Sequence, residues 1–270
     1  MEFFFRGAED GTPLAPFSPV HLLLLAIFVL GFWLIGRSGC PRRSIGAGSG
    51  GQTIPASTGL RDPRRARRFS VLLAGILLTD QIVLYAWQFG SGFFQMALSL
   101  PLFHCRIAIW LLIIGVLWQK KTILRVGMCW GTAGALLAML VPDLYNFRFP
   151  HYTNFQFFIG HMVMGWLIFH LLWHERERIG RHEIRAVVLI STLYNVAMLG
   201  VNIALRPHFP AANYGYMMEL PALVPIHLPI ALHFPLMLAL FAAIMVLIGL
   251  LFEKIGRRAV SANQAQLVAH

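Results

Sequence analysis

The chain has 270 residues, 57% of them hydrophobic and only 12% charged, with a mean hydropathy of +0.67. That is about half the charge fraction of a soluble domain, so the composition excludes a soluble globule and indicates a polytopic helical membrane protein. The formal net charge of +11 invites a nucleic-acid reading, which fails because the cations cluster between hydrophobic segments.

The opening "MEFFFRGAEDGTPLAPF" has no basic stretch ahead of a short apolar core, so residues 1–17 read as an external tail rather than a cleaved signal. Hydrophobic segments follow at Ser18–Gly36, Phe69–Gln88, Leu98–Trp118, Ile123–Val141, Asn154–Trp173, Ala186–Leu205 and Ile226–Phe252. Each is close to the ~20 residues a helix needs to cross ~30 Å of hydrocarbon. The expected fold is therefore all-α, a seven-transmembrane-helix bundle over residues 18–252. A basic, Gly/Ser-rich loop spans 37–68 and a tail spans 253–270. Pro229 and Pro235 predict a kink or an interfacial start for the last span.

Eighteen of the 22 Lys and Arg residues fall in the first, third and fifth connections and the C-terminal tail. The positive-inside rule then puts the N-terminus outside and the C-terminus in the cytoplasm, in a multi-pass protein of the cell membrane. Arg6, Arg148 and Arg206 fall on the outer side, and Arg106 lies inside a span. Three cysteines at different depths, Cys40, Cys105 and Cys129, cannot pair within one chain.

With this topology, depth can be counted at 1.5 Å per helical residue. Asp80, Cys105, His161, Asn195 and Asn202 all fall in the outer half, with Asp143 capping the fourth span and His227 and His233 beginning the seventh. Asn154 and His161 are seven apart, as are Asn195 and Asn202, so each pair occupies one helix face. The expectation is a shared polar cavity in the outer leaflet. Within it, His104 and Arg106 flank the Cys105 thiol as potential cations, and a histidine at matching depth, His161, can act as its base. The histidines show no metal-ligand spacing and no cofactor motif is present, so neither metal nor cofactor is expected.

The motifs "LPLFHC", "PD" ahead of the fifth span, "FQFFIGH" within it, and the two asparagines of the sixth span followed by "NY" (Asn213, Tyr214) resemble those of the YwaF-like integral membrane proteins. These seven-span bacterial proteins are grouped with the transmembrane protein 164 acyltransferases. The resemblance covers about two-thirds of the chain and implies acyl transfer between membrane phospholipids, with Cys105 and His161 at the catalytic positions. Asp80, His104, Arg106, Asp143, Asn154, Asn195, Asn202, Asn213 and Tyr214 are the expected supporting residues. One departure stands out. The family pattern places a His two positions before the Cys, where this chain has Phe103; His104 is displaced by one residue, about 100° around the helix. The competing reading is a non-enzymatic lipid or small-solute transporter, or an assembly factor, using the same cavity to bind.

Overall fold

The structure, a computed structural model, describes residues 3–38, 63–220 and 226–268. Cys40 and most of the 37–68 loop lie outside the described residues. Among the described residues seven α-helices run in chain order: α1 (Pro19–Arg37), α2 (Pro63–Gly90), α3 (His104–Trp118), α4 (Lys121–Leu140), α5 (Tyr152–Trp173), α6 (Arg181–Leu205) and α7 (Ile230–Val268), with a 3-10 turn at Tyr214–Tyr216 before the last. Six are long and apolar enough to cross a membrane; α3 is the shorter apolar helix. Among the described residues no strand forms. α4 is central, packing on α3, α5, α6 and α7, while α1 lies at the edge against α5.

Helix ends follow local chemistry. Ser18 caps α1, accepting from the backbone N–H of His21, and Pro19 occupies the first turn, where its missing N–H costs nothing. α3 and α4 form a tight hairpin. A Cβ added at Gly115 would stand 2.7 Å from the Leu124 backbone, so only a hydrogen there lets the two helices approach. α7 begins at Ile230 rather than Ile226. Pro229 precedes it and supplies the carbonyl for the first amides, while Pro235 sits inside the helix.

The bundle has two unlike ends. The basic end gathers the C-termini of α1, α3 and α5 and the N-termini of α2, α4 and α6. The loop end carries residues 3–17, 91–103, 141–151, 206–220 and 226–229. The N-terminal segment is not a free tail: its backbone meets the 146–152 segment through Tyr152 N–H to Phe4 O and the amides of Asp10 and Gly11 to Asn146 O. Arg6 pairs with Asp10 at 2.7 Å and holds that carboxyl below the usual carboxylate range. Arg206 likewise pairs with Glu219. Two of the loop end's cations are thus matched by acids.

The third helix departs from expectation. Helical structure was expected from Leu98, but residues 91–103 form turns and α3 starts at His104. Its fifteen residues span only about 22 Å, short of the ~30 Å of a hydrocarbon core, and the turns before it leave their carbonyls outside any helix. Non-helical backbone is tolerated there only if protein groups satisfy its carbonyls, and they do. Arg106 donates to Leu98 O at 2.8 Å and Ser99 O at 3.1 Å, Tyr85 to Ser99 O at 3.1 Å, Tyr194 to Leu102 O at 2.6 Å and Tyr214 to Met96 O at 2.5 Å.

Arg106 should therefore be a stability residue before anything else. Arg106→Leu strips donors from two carbonyls and from the Tyr145 hydroxyl, and should cost about 2–4 kcal/mol. Arg106→Lys, a point donor that cannot fork, should recover only part. Thermal unfolding in detergent, followed by intrinsic tryptophan fluorescence, measures both; an unchanged midpoint for Arg106→Leu would contradict this role.

Candidate functional site

His104, Cys105 and Arg106 face three different neighbours because successive helical positions turn by about 100°. His104 looks towards α4, α6 and α7. Its Nε2 donates to Asn195 Oδ1 at 2.7 Å, and its ring lies 4.1 Å from Phe241, 5.1 Å from Trp130 and 5.2 Å from Tyr194. With the proton on Nε2, Nδ1 keeps its lone pair. Gly215 of the 3-10 turn lies against that ring. It adopts φ 67, and a Cβ there would come within 3.0 Å of the His104 ring, so both the backbone and the space require glycine.

Cys105 turns towards α4 and α5. A Cβ built on Gly134 would stand 3.1 Å from that of Cys105 and 3.7 Å from the Met164 methyl, so the thiol sits where α4 is stripped to backbone. His161, one turn before Met164 on α5, donates from Nδ1 to Phe157 O at 2.6 Å. Its Nε2 therefore carries the lone pair, and this atom is buried without a hydrogen-bond partner among the described residues. Cys105 and His161 are not hydrogen-bonded to one another, but Arg106 lies within electrostatic reach of both. Three of the five Arg106 N–H groups are engaged, by Leu98 O, Ser99 O and Tyr145 Oη. No carboxylate bonds this guanidinium among the described residues.

A family model described as the TMEM164 family matches residues 16–252. The chain belongs to the TMEM164 family. No curated protein and no solved structure matches it. The TMEM164 match runs from the end of the N-terminal segment to Phe252 of α7, and so takes in every residue of the Cys105 neighbourhood.

The expected single cavity is not how this TMEM164-family chain arranges its polar residues. Asp80 faces α5, accepting from Gln156 at 2.8 Å and Gln81 at 3.0 Å, and bonds neither histidine. Asn154 is buried with both side-chain polar atoms unpaired, and does not orient His161. Asn195 orients a histidine, but His104 rather than His161. Asn202 is fully buried and grips a loop: its amide accepts from Tyr214 N at 2.7 Å and donates to Tyr214 O at 2.9 Å. Asn213 similarly shapes its own loop, bonding Met218 N and Glu219 O. Asp143 accepts from the Tyr216 hydroxyl at 2.8 Å; burial, then the carboxylate itself, push that phenol above its ordinary range and keep it a donor. His233 donates to Tyr216 O at 2.8 Å, while His227 is exposed, so the four histidines do not gather.

Several residues of this site went unseen in the sequence reading: Tyr145, Tyr194, Trp130, Phe241 and Gly134. Aromatic residues and glycines are too common in membrane helices to stand out, and only the pairing of α3 with α4, α6 and α7 gives them meaning.

Asn202 supports a loop, and its loss should read as stability. Asn202→Ala leaves a backbone N–H and C=O unpaired and should cost about 2–4 kcal/mol, seen as a lower unfolding midpoint. Any function per folded molecule should stay within about twofold of wild type. A large functional loss at an unchanged midpoint would restore Asn202 to the site.

Proposed function

We propose that this TMEM164-family protein is a seven-span membrane protein, with its N-terminus outside, that transfers acyl chains between phospholipids in the outer leaflet. In this reading α3 completes the seventh crossing and the loop end faces outwards. Residues 1–17 are the external segment, 18–252 the membrane domain with its cytoplasmic 37–68 loop, and 253–270 the cytoplasmic tail. The protein resides in the cell membrane. The charge supports the orientation, since the loop-end cations Arg6 and Arg206 are paired with acids while most Lys and Arg lie at the other end.

The observation that carries the chemistry is the grouping of a free thiol, a buried imidazole lone pair and a guanidinium without a carboxylate partner, all at the start of α3 and the facing turn of α5. His161 Nε2 takes the proton of the Cys105 thiol, and the thiolate attacks the ester carbonyl carbon of a phospholipid. Arg106 and its neighbouring N–H groups face the oxyanion that develops on the carbonyl oxygen. Collapse breaks the C–O bond, and the glycerol oxygen leaves with the proton from His161, giving an acyl-thioester and a lyso-lipid. A second lyso-lipid hydroxyl then attacks the thioester. His161 Nε2, neutral again after the first step, takes that hydroxyl proton and returns it to the departing Cys105 thiolate as the new ester forms.

Impermeant-maleimide labelling in intact cells tests the orientation. In a background lacking Cys105 and Cys129, Cys40 should stay unlabelled. An Ala211→Cys variant that also lacks Cys40 should label readily, and the reverse pattern inverts the topology.

The reaction is tested on purified protein supplied with a labelled phospholipid and a lyso-acceptor, followed by mass spectrometry. Cys105→Ser and His161→Ala should each lose activity on the order of 10³-fold, and the double variant should be scarcely worse than either, because residues acting as a unit are non-additive. Cys129→Ser, buried in the α4 core, should be silent. Full activity in Cys105→Ser would remove the thioester. No transfer by wild type would favour a binding or transport role for the same residues.

A further inference from the structure

The cavity at the basic end belongs to none of this. It has a volume of about 420 Å³ and lies between the start of α2, the α3–α4 turn and the segment after α5. Its floor is apolar, from Ala66, Gly115, Leu124 and Leu171. Its rim carries both signs of charge: Arg67, Lys121 and Arg176 against Glu175 and Glu177.

Some of this rim is already engaged. Arg67 donates to Val116 O, and Glu175 accepts from Ser70 Oγ at 2.5 Å. Lys121, Arg176 and Glu177 make no ion pair among the described residues, although cations and carboxylates share one cavity. The rim is also held open by an uncommon backbone. Gln119 (φ 54) and Arg176 (φ 56) both line it, and both occupy the left-handed region where glycine would be cheaper. Arg176 turns the chain so that Glu175 and Glu177, on either side of it, both reach the cavity. Non-glycine residues in this conformation persist where the surroundings over-determine them, commonly at binding sites.

The position relative to the bilayer is marked by tryptophan. Trp33, Trp118 and Trp173 are 52%, 63% and 49% exposed and lie at the ends of α1, α3 and α5 that reach this cavity's level. Exposed tryptophans collect at the headgroup layer. A cavity at that level, of a size suited to one small group, with cations and carboxylates that do not neutralise each other, fits a ligand bearing both charges. We infer that this cavity binds the headgroup of a membrane lipid carrying a phosphate diester and a primary ammonium, the phosphate against Lys121 and Arg67 and the ammonium against Glu175 and Glu177. The ammonium is primary because the lining contains no Phe, Tyr or Trp, and its one ring, the His174 imidazole, is bonded to Ile35 O at 2.8 Å. A quaternary ammonium is recognised through aromatic faces, whereas carboxylates reward the N–H donors that only a primary amine supplies. This site does not depend on the acyl-transfer reading and lies at the opposite end of the bundle from Cys105.

Purified, delipidated protein in detergent is titrated with phosphatidylethanolamine, phosphatidylcholine and phosphatidylglycerol of identical acyl chains, and with glycerophosphoethanolamine, the same headgroup without chains. Binding is read by native mass spectrometry and by the shift in thermal midpoint. Phosphatidylethanolamine should bind saturably with a single site about tenfold tighter than either other lipid, and glycerophosphoethanolamine should compete only at far higher concentration. Glu177→Gln should abolish the preference over phosphatidylglycerol, and Lys121→Ala should weaken phosphatidylethanolamine binding about tenfold. Both positions are partly or largely exposed, so the variants should fold, and an unchanged midpoint without lipid checks this. Cys105→Ser should leave the titration unaltered, which separates this site from the proposed catalytic one. Equal binding of all three lipids, indifference to both rim substitutions, or glycerophosphoethanolamine binding as tightly as the lipid would each overturn the inference.

Discussion

Much of this architecture rests on Arg106 reaching back to the carbonyls of Leu98 and Ser99. A guanidinium removed from water costs several kcal/mol, and so does each unsatisfied backbone carbonyl in hydrocarbon. Neither could stand alone in an apolar interior. Together they offset one another, and the Tyr145 hydroxyl at 2.5 Å completes the arrangement. Because the turns before α3 are fixed in this way, the first residues of α3 are fixed too. His104 is delivered to α6, and Cys105 to the bare face of α4 at Gly134. A histidine, a thiol and an arginine in succession at the start of a membrane helix are thus three separate contacts, each with its own partner, radiating from one anchored turn.

Tyrosines carry the remaining load. Tyr85, Tyr194 and Tyr214 donate to Ser99, Leu102 and Met96 from α2, α6 and the 3-10 turn, so the non-helical stretch is bonded to much of the bundle around it. Asn202 in turn grips the Tyr214 backbone through both its polar atoms. A network in which three tyrosine hydroxyls each meet a backbone carbonyl is rigid, and a rigid frame is what the placement of a reactive thiol needs.

The helices were largely legible in the sequence because hydrophobic length is a one-dimensional property. Boundaries failed where polar partners decide them: Leu98–Phe103 is apolar enough to continue α3, yet side chains from elsewhere capture its carbonyls instead. Asn195 and Asn202 do share a face, as their spacing of seven implied: Asn195 meets His104 of α3, and Asn202 meets the backbone of the 3-10 turn whose Gly215 packs on that histidine. The angular position of one helix about its axis relative to another is not written in either sequence segment. Residues at equal depth were therefore assigned to one cavity that the packing divides. Asp80 turned to Gln156, Asn195 chose His104 over His161, and Asn202 chose a backbone. The residues missed, such as Gly134 and Tyr145, matter only through what faces them.

The two ends of the bundle meet different demands with different means. The loop end is closed by hydrogen-bonded turns and by acids matched to its arginines, which leaves few charges to attract a headgroup from solution and keeps the thiol among apolar and aromatic side chains. The basic end keeps an open cavity with unmatched charges of both signs, at a level marked by exposed tryptophans. Ten residues of α3 separate Gly115 in that cavity from Cys105, about 15 Å along the helix. The layer of a leaflet that holds headgroup and ester linkage together is only about 5–8 Å thick. A lipid whose headgroup sits in the basic-end cavity therefore keeps its ester carbonyls out of reach of Cys105, and whatever is bound there cannot be the lipid undergoing reaction. Its effect on the thiol would have to pass through α3 itself, whose far end it would grip and whose near end Arg106 already holds.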